Sequence, residues 1–180
     1  MASLIKTAIQ DILTKLNTVT GIMFVAVWNN HASRLMDGSG YSFACPAALL
    51  ELETLEEAVR LGSGMTCQDY IIRIHILHTE LDAADGTLDQ NLNVYDWRDS
   101  VKTKITGMKP TNFSNLMFMN ELQDYEHNNL YHYILEFKAA FVDTKGSPND
   151  ADSTDWIETT PPTDLDLSVT YDEPPYLKGS

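Results

Sequence analysis

The sequence predicts an α+β fold in which two helices cover a mainly antiparallel sheet, with an extended C-terminal arm. Three observations lead to this prediction. The first residues place apolar side chains at helical spacing, and several later segments are short, β-rich or strictly alternating. The composition then changes near Asp143, where prolines and acidic residues become frequent. We therefore divide the chain into a body, residues 1–142, and an acidic arm, residues 143–180.

The first predicted element is an amphipathic helix that begins at Leu4 and ends near Asn17, with Ser3 as its N-cap. One face carries apolar side chains at spacings of three and four, namely Leu4, Ile5, Ala8, Ile9, Ile12, Leu13 and Leu16. The segment Ile22–Trp28 follows. It is too short for a helix and rich in β-formers, which indicates a buried strand.

The middle of the chain predicts a loop, two strands and a short helix. Asn29–Ser42 contains Asp37-Gly-Ser-Gly40, which lacks the Lys-Ser/Thr of a phosphate-binding loop and is more typical of a flexible hairpin tip. Ala47–Glu53 is the second strand, and Thr54–Leu61 is predicted as a short helix ended by Gly62. Thr66–Thr79 alternates cleanly and predicts a long strand.

The last part of the body predicts a polar turn, a helix and a hairpin. The turn covers Asp82–Asp89, and the helix covers Thr87–Thr106 before Gly107 stops it. Its apolar positions are Leu88, Leu92, Tyr95, Val101 and Ile105. Leu116–Tyr125 and Leu130–Val142 then predict an antiparallel hairpin that turns at Asn128-Asn129.

The composition limits the possible classes of function. The chain has 180 residues, 12 Lys+Arg and 26 Asp+Glu, a net charge of −14 and 43% hydrophobic residues, which is enough for a folded core. The acidity argues against nucleic acid as the main partner, because phosphate binding needs clustered cations. The apolar runs are shorter than the roughly 18 residues that span a bilayer, so we expect no membrane partner. Two cysteines do not make a disulfide framework and favour a reduced compartment.

The arm carries half of the excess charge, nine acids against two bases. Within it, apolar side chains alternate with polar ones from Asp164 to Asp172, which predicts a strand that adds to a sheet edge, its own or a neighbour's. Trp156 and Ile157 form an aromatic–aliphatic pair in otherwise polar sequence and suggest an anchor on a partner surface. The predicted partner-interface residues are Trp156, Ile157, Leu165, Leu167, Val169 and Tyr171. The alternative is a disordered, solubilising tail.

Two groups of residues invite a chemical interpretation. His75 and His78 resemble metal ligands, but on a strand residues three apart face opposite sides, so they could not share an ion. The second group surrounds the predicted hairpin turn, where we expect solvated side chains: Glu121, Asp124, Glu126, His127 and His132.

No other motif supports catalysis. Asp150–Asp155 resembles a calcium loop but lacks the glycine at its sixth position, and Pro161 stands where the bidentate Glu belongs. Cys45 and Cys67 form no CxxC pair and are predicted to be small buried hydrophobes. We therefore expect no enzyme, with no catalytic residue, metal or cofactor.

The order of elements resembles the small tail-terminator and tail-completion proteins of long-tailed bacteriophages, and the related neck subunits at the head–tail joint. The resemblance covers roughly Leu4–Asp143. It rests on the opening helix, the Pro-Ala-hydrophobic-x-Glu pattern within Phe43–Glu53, the long strand Tyr70–His78, the covering helix with Gly107, and the hairpin sequence Asp124–Tyr133. The arm after Asp143 departs from a minimal member of that family.

The resemblance implies a virion protein that assembles in the host cytoplasm as a ring, typically of six subunits. Such a ring caps the tail tube, its first partner, and presents a surface to the capsid connector. The genome would pass through an acidic lumen that repels DNA phosphates and does not bind them.

Two alternatives stay open at the sequence level. The first is a non-catalytic adaptor that grips a different protein with its arm. The second is a metal-assisted hydrolase around His75, His78 and Asp82.

Overall fold

The computed structural model describes residues 3–36, 43–62, 64–79, 88–124 and 130–145. In chain order the elements are α1 (Leu4–Leu16), β1 (Phe24–Val27), α2 (His31–Met36), β2 (Ala47–Thr54), β3 (Val59–Gly62), β4 (Met65–His78), α3 (Leu88–Ile105), β5 (Met117–Asp124) and β6 (Tyr131–Asp143). The predicted α+β class is confirmed. Among these residues no helix is long and apolar enough to cross a membrane.

The strands form one sheet in the order β1-β2-β4-β6-β5, with β3 paired to the outer part of β4. Only the β1–β2 pair among them is parallel; the others are antiparallel. The long strand β4 lies at the centre because it pairs with β2 on one side and with β6 on the other. Both sheet edges, β1 and β5, are far apart in sequence and on opposite sides of the sheet.

One face of the sheet is covered by α1 and α3 and holds the larger core. The apolar positions of α1 predicted from spacing include its buried residues, Ala8, Ile12 and Leu16. They pack with the even-numbered residues of β4 (Ile72, Ile74 and Ile76) and with Leu135 and Phe137 of β6. Because side chains alternate along a strand, every second side chain points into this core, as expected for a sheet that helices cover on one face.

The N-cap of α1 differs from the prediction. Ser3 has an extended backbone, but its side chain makes no capping hydrogen bond. Its carbonyl oxygen instead accepts bonds from the amide and the hydroxyl of Thr7, at 3.1 and 3.3 Å.

The predicted helix at Thr54–Leu61 is wrong. Residues 59–62 form β3, which pairs antiparallel with β4 through Val59↔Cys67 and Arg60↔Thr66. Gly62 and Gly64 both have positive φ angles, so they permit the tight connection that turns the chain into β4. A hairpin with the long strand therefore wins over the weak local helix preference.

The predicted loop Asn29–Ser42 begins with a helix instead, since α2 occupies His31–Met36. Ser33 donates a hydrogen bond to the side chain of Asn30 at 3.0 Å, and Asn30 has a positive φ angle. Residues 37–42, including the Gly-rich stretch, lie outside the described residues, as does the hairpin turn at 128–129.

The helix α3 confirms the predicted element but not all of its predicted apolar face. Val94, Val101 and Ile105 are buried, whereas Leu92 and Tyr95 are exposed. Tyr95 precedes Val101 by six residues, which places the two side chains about 120° apart around the helix. Salt bridges from Arg98 and Lys102 to Glu121 join this helix to β5.

The opposite face of the sheet carries a smaller apolar cluster at one end, formed by Ala32, Ala47, Leu49, Leu77 and Leu130. The rest of that face, which we call the open face, holds charged and polar side chains of β2, β4, β5 and β6. Of the predicted arm, only residues 143–145 are described, so its strand and its boundary with the body stay predictions.

Candidate functional site

The open face brings together four titratable side chains from four neighbouring strands. Glu51 lies on β2, His75 on β4, His132 on β6 and Asp124 on β5. The strand register brings these side chains close together. Leu49, two residues before Glu51, is opposite His75, and Leu77, two residues after His75, is opposite His132, so these two contacts are diagonal. His132 is directly opposite Asp124. We call this row the histidine network.

Three close contacts join the network end to end. His75 Nε2 is 3.0 Å from Glu51 Oε2, and His75 Nδ1 is 2.9 Å from His132 Nε2. His132 Nδ1 is 3.0 Å from Asp124 Oδ2. All four imidazole nitrogens are therefore within hydrogen-bonding distance of a partner.

Aromatic side chains cover the two rings. His75 and His132 are each only 4% exposed. The indole of Trp28 stacks on His75 with ring centroids 4.1 Å apart and planes within 4°, and it also lies 5.5 Å from the His132 ring. His31 of α2 packs beside Trp28 at 5.9 Å, and its Nδ1 accepts the amide of Asn29 at 3.0 Å. Trp28 thus belongs to the cover of the network and not simply to the hydrophobic core.

Burial controls the protonation of His75. It lowers the pKa of His75 to about 4, because a charged ring loses its hydration there, and the nearby His132 and Arg73 lower it further. The hydrogen bond to Glu51 opposes this shift without cancelling it. His75 is therefore neutral at pH 7.

Arg73 continues the polar row beyond Glu51. Its Nε donates to Glu136 at 2.7 Å, and its Nη1 contacts both Glu51 and Glu53. Burial by itself lowers the pKa of Arg73, but the bonds to Glu136 and Glu53 outweigh it and raise the pKa above its ordinary value. Arg73 therefore stays charged and offsets part of the repulsion among three carboxylates.

The histidine network does not line the described cavity. Both rings lie beneath Trp28, and the one cavity that we describe, of about 330 Å³, lies elsewhere, between residues 18–20 and α3. Among the described residues, no three His, Cys, Asp or Glu side chains are arranged to hold a metal ion. The network can bind protons, and its contacts connect side chains of four strands. We assign it no reaction.

A second feature is the exposed apolar surface of the sheet edges. On β5, Met117 is 67% exposed, and Met119 and Leu122 are also exposed. At the other edge, Met23, which precedes β1, is 69% exposed, and Val27 is exposed as well. Natural proteins usually protect sheet edges with charge or bulges, so apolar edges on both sides indicate contact surfaces.

The structure divides the described residues of the predicted turn cluster: Asp124 and His132 are in contact, and Glu121 lies apart from them. His78 lies on the helix-covered face, where its ring meets Trp97 at 4.8 Å, so it is apart from His75 as predicted. Glu121 also faces the helices and pairs with Arg98. The prediction that His132 is solvated is wrong, because the ring is buried between Asp124 and His75.

Several other predicted residues lie outside the described part of the chain. These are Asp82, Glu126, His127, the Asp150–Asp155 segment, and all six partner-interface residues of the arm, Trp156, Ile157, Leu165, Leu167, Val169 and Tyr171. The two cysteines are free and partly buried. Burial raises the pKa of the Cys45 thiol, which makes it a poor nucleophile.

Sequence reasoning missed the histidine network. Within their strands, Glu51 lies on the side away from Leu50, and His75 lies on the side away from Ile74. This much could be inferred from the alternation of β2 and β4. The link to His132 and Asp124 depends on the pairing of β4 with β6, two strands separated by more than fifty residues, and no local pattern specifies it.

Comparisons with known proteins show a likeness to solved structures. No family model matches the chain, and no curated protein matches it. Among solved structures, a chain described as "Virion of native gene transfer agent (GTA) particle" aligns with a TM-score of 0.48 and 8% identity, over 79% of this chain and 100% of that chain. With scores this low, the function has to be argued from the residues of this chain.

Proposed function

We propose that this protein is a non-enzymatic virion assembly protein, a tail terminator or related neck subunit, that works as a homo-oligomeric ring. The observation that carries the proposal is the pair of apolar sheet edges. The order of elements, which resembles the tail-terminator family, supports the type of assembly.

The two edges favour a ring over a symmetric dimer. Exposed apolar side chains lie at β5 on one side of the sheet and around β1 on the other. A contact between the β5 edge of one copy and the β1 edge of the next joins two different surfaces. Each copy therefore has one surface for each of its two neighbours. Such head-to-tail contacts generate rings when the rotation closes.

The charge fits the same assembly. A net charge of −14 repels DNA phosphates, so a ring of these subunits would let a genome pass without binding it. The arm supplies an additional contact, in which Leu165–Tyr171 adds to a sheet edge of a neighbouring copy. The outer partners in this proposal are the tail tube protein and the capsid connector.

The test is the size of the purified full chain, by light scattering and native mass spectrometry, with negative-stain imaging. We expect a closed ring that Met117→Glu weakens, because the change puts a carboxylate into an apolar contact. The matched control is Thr103→Glu, which adds the same charge on the exposed surface of α3. A strictly monomeric protein at high concentration, unaltered by tube protein, would contradict the proposal.

The adaptor is the second candidate, and the Trp156–Ile157 pair in the arm favours it. Deletion of residues 144–180 distinguishes the two functions. Loss of self-association supports the ring, whereas loss of one heterologous partner with unchanged self-association supports the adaptor.

A further inference from the structure

The histidine network poses a problem of proton number. Its three contacts, from Glu51 through His75 and His132 to Asp124, are 2.9–3.0 Å long. A hydrogen bond of this length needs one proton between its two heavy atoms, so three contacts need three protons. Two neutral imidazoles carry one N–H each and ionised carboxylates carry none, which gives only two.

The distribution of the two available protons shows where the shortage falls. If each ring donates to its carboxylate, His75 Nδ1 and His132 Nε2 are both acceptors and face each other across 2.9 Å. If instead one ring donates to the other, a bare ring nitrogen faces a carboxylate oxygen. Every arrangement of two protons leaves one repulsive contact inside a site that is 4% exposed at both rings.

We infer that the histidine network is a buried binding site for one additional proton, shared between His75 and His132 and balanced by Glu51 and Asp124. With it, every contact of the network becomes a hydrogen bond. The additional positive charge lies between two carboxylates, which attract it.

The surrounding charges place this proton on His132. Imidazole is the stronger base, with an ordinary pKa of about 6.5 against about 4 for carboxyl groups, so the proton resides on a ring and not on Glu51 or Asp124. His75 faces the cation Arg73, two residues earlier on β4, and burial lowers its pKa to about 4. His132 Nδ1 faces Asp124 instead. His132 is therefore the imidazolium, and His75 is neutral with its proton on Nε2.

The other titratable groups that the structure describes on this face make contacts of their own. Glu53 and Glu136 pair with Arg73 and add negative charge that favours a cation in the row. His31 of α2 accepts the amide of Asn29 and packs on Trp28. The inference is independent of the ring proposal, since it concerns one folded subunit.

Holding the proton makes the sheet sensitive to pH. The network binds the proton in the folded chain and loses this arrangement on unfolding, so its contribution to stability is present at low pH and is lost as the pH rises. After the proton leaves, two lone pairs face each other between β4 and β6, and the rings must separate or admit water.

The test is ¹⁵N NMR of the imidazole rings in the folded full chain at pH 7. An imidazolium gives two similar nitrogen signals, whereas a neutral ring gives one protonated and one bare nitrogen. We expect one doubly protonated ring, assigned to His132 by its absence in His132→Gln. Two singly protonated rings at positions 75 and 132 would overturn the inference.

Asp124→Asn provides the second measurement, because it keeps a hydrogen-bond acceptor and removes the negative charge. We expect the midpoint of the network's titration to fall by about one to two pH units. The matched control is Asp69→Asn, which removes a carboxylate paired with Lys138 at 2.7 Å on the same face. Equal effects of the two changes, or none from Asp124→Asn, would contradict a proton held by Asp124.

Discussion

At the scale of single residues, Gly21 shows how close packing and backbone geometry act together. Its φ angle is 89°, and a Cβ at this position would lie 2.5 Å from Nε1 of Trp97. Trp97 also contacts His78, so it is fixed from both sides. Glycine is required here both for the backbone conformation and for the approach of α3 to the turn after α1.

We therefore predict that Gly21→Ala lowers the free energy of unfolding by about 2–4 kcal/mol, from backbone strain and overpacking together. Gly107→Ala is the control, since Gly107 also has a positive φ angle but a Cβ there would meet nothing within 4 Å. It should cost about 1–2 kcal/mol. Urea denaturation of both variants measures the difference. Equal losses would show that overpacking against Trp97 does not add to the cost at Gly21.

At the scale of elements, α3 shows how tertiary contacts position a helix. Its composition gives only a weak apolar stripe, yet Val101 and Ile105 are fully buried against the sheet. The cation of Lys102 lies 3.7 Å from the centre of the Phe118 ring, and Arg98 pairs with Glu121 of β5. Tertiary contacts near its C-terminal half therefore dock this helix, and its intrinsic amphipathicity contributes little.

The contrast within α3 gives a prediction. Ile105→Ala should lower the free energy of unfolding by about 2–5 kcal/mol, because it leaves a cavity in the main core. Leu92→Ala removes an apolar side chain that is 48% exposed on the same helix, and should change stability by less than about 0.5 kcal/mol. Chemical denaturation followed by circular dichroism compares the two variants. Similar losses of unfolding free energy would contradict the prediction and show that Leu92 packs against a neighbour.

At the scale of the whole molecule, the open face sets the response to acid. The folded chain holds His75 neutral with a pKa of about 4, below the ordinary value of 6.5 that applies to the unfolded chain. The unfolded chain therefore binds more protons at this site as the pH falls below 6.5. The stability associated with His75 is present above pH 6.5 and is lost as the pH falls towards 4.

We predict that His75 contributes a fall in the melting temperature between pH 7 and pH 5.5, above the range in which most carboxylates titrate and opposite in sign to the contribution of the proton held on His132. His75→Gln should reduce this fall, because glutamine does not titrate. His31→Gln, a change at a second buried histidine of the same face, tests whether any buried histidine has this effect. An unchanged pH dependence in His75→Gln would contradict the assignment.

Assembly belongs to the same scale. In the proposed ring, Met117 and Met23 lie on opposite edges, so a change at either edge should weaken the same contact between copies. Mixing Met117→Glu subunits with Met23→Glu subunits tests this. One intact edge remains in each variant, and we expect them to form pairs but not closed rings.

Much of the fold was predictable because it depends on local patterns. The apolar spacing of α1, the alternation of β4 and the hairpin of β5 and β6 each identify an element within a short window. The predictions failed where a neighbour decided the outcome. Residues 59–62 became a strand because β4 was available to pair with them, and Leu92 became exposed because α3 docks through the Val101 face.

The sequence by itself determined the α+β class, the order of most elements, the acidic charge and the separation of His75 from His78. Only the tertiary structure decided that His75, His132, Glu51 and Asp124 form one row. Alternation fixes the face on which each side chain lies, but it does not specify which strands are neighbours or in what register. That choice is made by long-range pairing around β4, and it converts two isolated histidines into a buried pair.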